Sequence, residues 1–539
     1  MVKSGSNYEE ALSILMERFP ILGLQALSWQ PVESDPAFDP IDPGLAEVLY
    51  CYGFGDGSVY FAYQKWLQGD PTRKLVFLED EPGVIASFLA NGKAVEIFSD
   101  EQVYLEIFSG KRQEIRTLAN RFPKRRIEII SMTQNKRKMS KMRLPLLRMT
   151  ALSYAMHLDR LHGYQPFENF LKNSLQIGHS FYANRLQGAF ENTPAVVCGA
   201  GPSLQRSLET LKTLEDKALI VAGGSTIAAL SSQGILPHFG VAVDPNLEEY
   251  RRLKNSFAFE VPLLYSTRVH PAIFQTCNGP FGYMRSGIGG VAEVWLEEEL
   301  GLTEPFIGAD LPPESISVTL ICVAWAQFLG CNPILLNGVD LAYTANRRYA
   351  DGVGSKEELV PEAIEREKSA ADRLIRRRGR DDKMVYTAVR WIMEANSLSR
   401  LAKKHRATQM LNTTEGGLPL RGIADASLQE VSRHFCKQPL RQLVQQKVAD
   451  AYFPPDTASN VAVKLQSLRQ SLDRLIHYLK IITKKEKGSA ALAELELEGE
   501  MATLYLFYDI RQIFPNDARF WENWLELALK YQLMFFNQG

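Results

Sequence analysis

Residues 195–204 read AVVCGAGPSL, and this junction constrains the fold more than any other stretch of the chain. Ala195 to Cys198 are small or apolar, as in a short strand buried on both faces. Gly199, Ala200 and Gly201 follow, and a helical pattern opens at Pro202, Ser203 and Leu204. Proline suits a first helical turn, because its missing N–H would have no intrahelical partner there. A strand that passes through glycines into a helix start is an anion-binding geometry. Glycine lets the backbone approach closely, and the unpaired N–H groups of the first turn point at the ligand. The junction therefore predicts a nucleotide-binding α/β fold.

The pattern around it agrees. Short apolar segments recur at 195–198, 218–222, 239–243, 261–265, 333–336 and 407–411, with helical stretches between most of them. Alternation of this kind predicts a central doubly wound, Rossmann-like parallel sheet whose ligand sits at the carboxyl ends of its strands. Upstream, strand candidates at 46–52, 74–78, 94–98 and 126–130 predict a smaller α/β domain. In it, Gly53, Gly55 and Gly57 form a GxGxG turn and Glu79-Asp80 ends the next strand, an arrangement that resembles the cofactor corner of Rossmann-type methyltransferases. A tight strand-to-helix turn explains the same glycines. The basic stretch TQNKRKMSKMRLP reads as a linker closing at Pro145, with a long helix over 146–171 after it. Beyond 427 no strand pattern occurs, and 461–483, 490–513 and 520–535 read as helices of a bundle, broken at 484–488 and 515–516. The expected domains are 1–145, 146–426 and 427–539.

Composition narrows the function. Sixty-one Lys and Arg against 62 Asp and Glu argue against a nucleic-acid partner. Six scattered cysteines without a CxxC pair argue against a disulfide framework or a structural zinc and fit a reducing cytoplasm. Neither a signal-peptide core nor an apolar run of membrane-spanning length is visible.

The polar residues after each central strand are the site candidates. Gly199, Gly201, Pro202 and Ser203 follow the first strand, and Gly224, Ser225 and Thr226 the second. Asp244 follows the third. Its neighbours two residues away are Ala242 and Asn246, so the carboxylate pair a divalent metal favours is absent and no metal is expected. His270 follows the fourth strand. Gly338, Asp340, Tyr343 and Thr344 follow the fifth, and Asn412, Thr414, Glu415 and Gly416 the sixth. Ser317 opens the helix before the fifth strand, where hydroxyls and first-turn N–H groups make a second anion site.

Taken in order, the segments 201–204 (GPSL), 234–245 (GI-P…VAVDP), 338–344 (GVDLAYT) and 412–417 (NTTEGG) resemble the motility-associated factor glycosyltransferases. The central region of that family is similar to bacterial CMP-sialic acid sialyltransferases. The resemblance covers about half the chain. It implies metal-independent transfer of a nonulosonic acid, such as pseudaminic or legionaminic acid, from a CMP donor to Ser or Thr of a protein such as flagellin, with no cofactor beyond the donor itself. By the same resemblance, Gly201–Ser203 and Ser317 would hold the phosphate and ribose, and Tyr343 would sit beside the leaving phosphate. One departure stands out. The sialyltransferases place a general-base His near the start of the helix after the GxD strand, whereas this chain has MVYTAVRW at 384–391. His270, Glu415 and Asp340 are the remaining base candidates. Two other functions compete: a Mg-dependent pyrophosphokinase like the archaeal hydroxymethylpterin enzyme, and a non-catalytic nucleotide-binding scaffold.

Overall fold

The computed structural model of the protein describes residues 6–33, 35, 37–44, 46–122, 125–161, 164–254, 256, 258, 260–311, 317–353, 374–484, 489–513 and 519–536. It divides into two compact units. One is built on residues up to Leu158, with 374–375 and 388–390, and the other on the remaining described residues.

The first unit holds four strands, β1 (Val48–Tyr52), β2 (Lys74–Glu79), β3 (Val103–Ile107) and β4 (Ile127–Ser131), in the order β3-β2-β1-β4. All pairs are parallel. The strand expected at 94–98 is instead a helix, Ala94–Ser99. Its buried residues are Ala94, Ile97 and Phe98, a helical i, i+3, i+4 set. Val103 and Leu105 are buried, while Tyr104 between them is half-buried. That period of two places the third strand at 103–107.

The expected linker is also helical. Lys136–Leu161 is one helix with Pro145 inside it. Met142, Leu146, Leu147, Thr150 and Ala151 are buried along one stripe, and this burial outweighs the hydrogen bond that proline removes. Three of its basic residues pair with carboxylates, Lys136 with Asp39, Lys138 with Asp80 and Arg143 with Glu128.

The second unit carries a nine-stranded sheet. Its strands are β5 (Phe181–Tyr182), β6 (Ala195–Cys198), β7 (Leu219–Gly223), β8 (Phe239–Ala242), β9 (Leu263–Tyr265), β10 (Phe281–Tyr283) and β11 (Ile334–Asn337). After a two-stranded ribbon, β12 (Leu374–Arg378) with β13 (Met384–Ala388), come β14 (Met410–Asn412) and β15 (Ala424–Asp425). The order is β15-β14-β11-β6-β7-β8-β9-β10-β5, with parallel pairing throughout. From β6 the chain adds strands in one direction and from β11 in the other. A parallel sheet that grows both ways from one point, with crossovers of the usual right hand, carries helices on both faces, the doubly wound arrangement expected, with its switch point between β6 and β11. The 384–391 stretch splits between β13 and the helix Val389–Lys404.

The C-terminal helices do not stand apart from the sheet. Val461, Leu468, Leu472 and Leu475 of the helix Thr457–Thr483 share one buried core with Tyr182, Tyr265 and Tyr283. The helix Phe520–Phe536 joins that core through Trp524 and Ala528. Of the two breaks expected in the bundle, 485–488 and 515–516 lie outside the described residues. Among the described residues no helix is long and apolar enough to cross a membrane.

Candidate functional site

At the switch point the backbones leaving β6 and β11 stay paired beyond the strands themselves. Gly199 N–H donates to the Asn337 carbonyl at 2.8 Å and Gly201 N–H to the Gly338 carbonyl at 2.9 Å. A Cβ on Gly199 would lie 2.5 Å from the Gly338 carbonyl oxygen, and one on Gly201 would run into the Asp340 carboxylate. The glycines therefore serve the approach of two protein segments to each other.

Asp340 takes the place predicted for a phosphate. It is 2% exposed. Ser203 donates its hydroxyl to Oδ1 and its N–H to Oδ2, the latter at 3.2 Å. Burial raises its pKa, opposed by the Ser203 and Thr344 hydroxyls and the Ser203 N–H. The physics is that of an anion at a helix N-terminus, with the protein supplying the anion.

The 412–417 loop is likewise committed internally. Asn412, Thr413 and Thr414 are buried. The Thr414 hydroxyl accepts Val339 N–H at 3.1 Å, and Asn412 donates to Asp425 at 2.8 Å. Gly416 packs on Thr344. Glu415 is exposed at the surface, and its carbonyl accepts from Arg206 at 3.0 Å. His270 stacks on Tyr250 with ring centroids 5.6 Å apart, and its Nδ1 accepts Ala272 N–H at 3.3 Å. Burial, then Lys172, lowers its pKa.

A cleft of about 200 Å³ opens at the carboxyl ends of β6, β7, β8 and β11, and neither Glu415 nor His270 lines it. Of the predicted residues it gathers Gly199, Gly201, Gly224, Ser225, Thr226, Asp244, Gly338 and Asp340. Two helices begin on it, Gly224–Ser231 and Val318–Phe328. Gly224 has φ +43°, the left-handed region that favours glycine, and a Cβ on Gly223 would strike Val318. The two helix starts are thereby held close, each bringing first-turn N–H groups that have no intrahelical acceptor.

Sequence reasoning missed the cationic wall. Arg252 and Arg348 line the cleft with Tyr349 between them, their guanidinium carbons 5.9 and 4.9 Å from its ring centroid. Arg348 also lies 5.7 Å from the Trp391 ring. The planar fork of arginine matches the oxygens of a phosphate, and its face stacks on aromatic rings. Two carboxylates face the same space. Asp244 accepts from the Asn246 amide at 2.6 Å, and Glu394 accepts the Ser317 hydroxyl at 2.7 Å. Ser317 caps its helix by accepting Leu320 N–H at 3.2 Å. Tyr343 sits one layer back, its ring edge-on to Trp391 at 5.4 Å and its N–H on the Tyr386 carbonyl at 2.8 Å. Leu341 holds φ +50°, a left-handed conformation in a residue other than glycine, at the lip of the cleft. Among the described residues no group of three or more His, Cys, Asp or Glu side chains is placed to hold a metal ion.

The glycine turn of the first unit is closed. Glu79, 3% exposed, accepts Phe54 N–H at 2.7 Å and Glu81 N–H at 2.9 Å. Phe54 is buried against Phe77, Phe88 and Phe98. A Cβ on Gly53 or Gly55 would collide with Met132.

Comparisons with known proteins place the cleft in context. The model of the family described as 6-hydroxymethylpterin diphosphokinase MptE-like matches residues 168–346, which hold most of the cleft. The chain is similar to the solved structure of a MAf glycosyltransferase from Magnetospirillum magneticum AMB-1. Identity is 16% and the TM-score 0.47, with 100% of this chain and 79% of that chain covered. No curated protein matches. The fold is that of a Rossmann-like α/β protein, and the segment similar to the MptE-like family spans its switch point.

Proposed function

We propose that this chain is a glycosyltransferase that takes an acidic, nonulosonic sugar from a CMP donor bound in the switch-point cleft and passes it to a protein hydroxyl. The convergence of two helix N-termini with Arg252 and Arg348 carries this reading. That wall suits the phosphate of a nucleotide-activated donor and opposes the negative charge left on it when the sugar departs. Its fixed positive charges are the kind that substitute for a metal ion, so the reaction proceeds without one and without a further cofactor. The order of motifs from GPSL to NTTEGG supports CMP as the nucleotide and Ser or Thr of a protein such as flagellin as the acceptor. A cytoplasmic setting follows from the use of a nucleotide-activated donor.

Within this scheme Asp340 is a positioning residue that holds Ser203 and the β6 loop. The acceptor proton goes to Asp244 or Glu394, the cleft carboxylates not buried under the loop. Tyr343 acts through Trp391 by fixing the ring that Arg348 lies against. The MptE-like match favours one competing reading, Mg-dependent diphosphate transfer from ATP. The test is turnover of a CMP-nonulosonate with a flagellin-like acceptor in EDTA. Sugar found on the acceptor by mass spectrometry is expected. Transfer of diphosphate from ATP to a pterin alcohol, dependent on added Mg²⁺, with no CMP release, would overturn the proposal.

A further inference from the structure

The second unit has another cavity, of about 290 Å³, at the opposite end of the sheet from the cleft. His238, Pro262 and Pro280 line it, and each immediately precedes a parallel strand, β8, β9 and β10 respectively. Its far wall is the helix Leu440–Asp450, through Arg441, Val444 and Val448. Nothing in the proposed reaction uses this space.

His238 is 1% exposed. Its Nδ1 accepts Ile220 N–H at 3.0 Å, which leaves the ring proton on Nε2. That Nε2 is buried, and the nearby Glu215 carbonyl lies outside hydrogen-bond geometry, close enough only to act on the ring's charge. Burial pushes the imidazole pKa down to about 4, with Arg441 adding to the effect and the Glu215 carbonyl opposing it. The ring is therefore a neutral donor at pH 7. A buried N–H without an acceptor costs free energy unless something enters to meet it. Arg441 stands on the same cavity, held by Glu215 at 2.8 Å through Nε and by the Leu236 carbonyl at 3.1 Å through Nη2. Its Nη1 is left for a ligand.

We propose that this cavity binds a small monocarboxylate with a compact apolar body. The carboxylate sits between His238 Nε2–H and the Arg441 guanidinium, and the body packs on Pro262, Pro280, Val444 and Val448. Arg441 is already bonded on two of its nitrogens, so the site has donors for a single planar carboxylate rather than a phosphate. Glu260, exposed at the rim, disfavours a second negative group.

Titration of the full chain with 3-phenylpropanoate, followed by calorimetry and by the imidazole ¹⁵N resonances of His238, tests the site. Saturable binding with a shift at His238 is expected, and the neutral 3-phenylpropanamide should bind roughly tenfold more weakly, for want of a charge-assisted bond. Ala449→Trp, which fills the cavity from an exposed position, should abolish binding. Arg441→Gln should weaken it roughly tenfold, and this arm stands even if the tryptophan variant fails to fold. No saturable binding, equal affinity for acid and amide, or a His238 resonance that does not move would overturn the proposal.

Discussion

Gly201 and Asp340 show how one sequence signal can carry two meanings. The GAGPS spacing predicts a loop that approaches a bound anion after β6, and in the structure the Gly338–Asp340 segment lies against those glycines. Gly201→Val should therefore lower stability itself. Its side chain meets the Asp340 carboxylate and also the Gly338 carbonyl oxygen, which lies 2.7 Å from the Cβ position. Overpacking of this kind typically costs about 1–3 kcal/mol. A urea midpoint equal to wild type would show that the loop has room. Arg252, Arg348 and Trp391 were illegible for the opposite reason. They come from a helix after β8, a turn after β11 and a helix after β13, and no local spacing relates them. Glu415 and His270 were legible as polar residues after strands, but the direction of a side chain at a strand end depends on loop geometry that the sequence does not encode locally.

Among elements, those with a clear period are legible and those without are not. The edge strands β5 and β15 have two residues each, too few for a pattern, and β10 has three. Beside β10 the fold buries a pair of carboxylates on the helix Val291–Glu299 that the sequence shows only as an acidic stretch. Glu293 accepts the Thr267 N–H and hydroxyl and Gly289 N–H. Glu297 accepts the Tyr283 hydroxyl at 2.7 Å and pairs with Arg285 at 3.2 Å. Burial raises the pKa of Glu293, and burial together with Glu293 raises that of Glu297. A carboxyl raised in the folded state binds more protons there than in the unfolded chain, so stability falls as pH rises above the ordinary carboxylate range. Melting temperatures measured from pH 7 to 8, above the range in which the depressed pKa of His238 acts in the opposite sense, should decline, and Glu297→Gln should flatten the decline. A wild-type profile that rises over this interval, or a variant with an unchanged slope, would mean that the pair is ionised at no cost.

At the scale of the whole chain, two α/β sheets were legible from strand–helix alternation, and their glycine turns look alike in sequence. The surroundings of the two turns differ. In the first unit Phe54 and Glu79 seal the turn. In the second, the strand order reverses between β6 and β11, and the space beside the sealed Ser203–Asp340 pair stays open as the cleft. A switch point can be recognised only once strand order is known, and so we set the proposed donor phosphate against Gly224, Val318 and the two arginines rather than on the GPSL loop. Calorimetry with CMP in EDTA tests that relocation most directly. The wild-type chain should bind. Arg348→Gln should weaken binding by roughly tenfold or more, as expected when a charged phosphate contact is removed. Equal affinity in the two proteins, or binding that appears only with ATP and Mg²⁺, would contradict it.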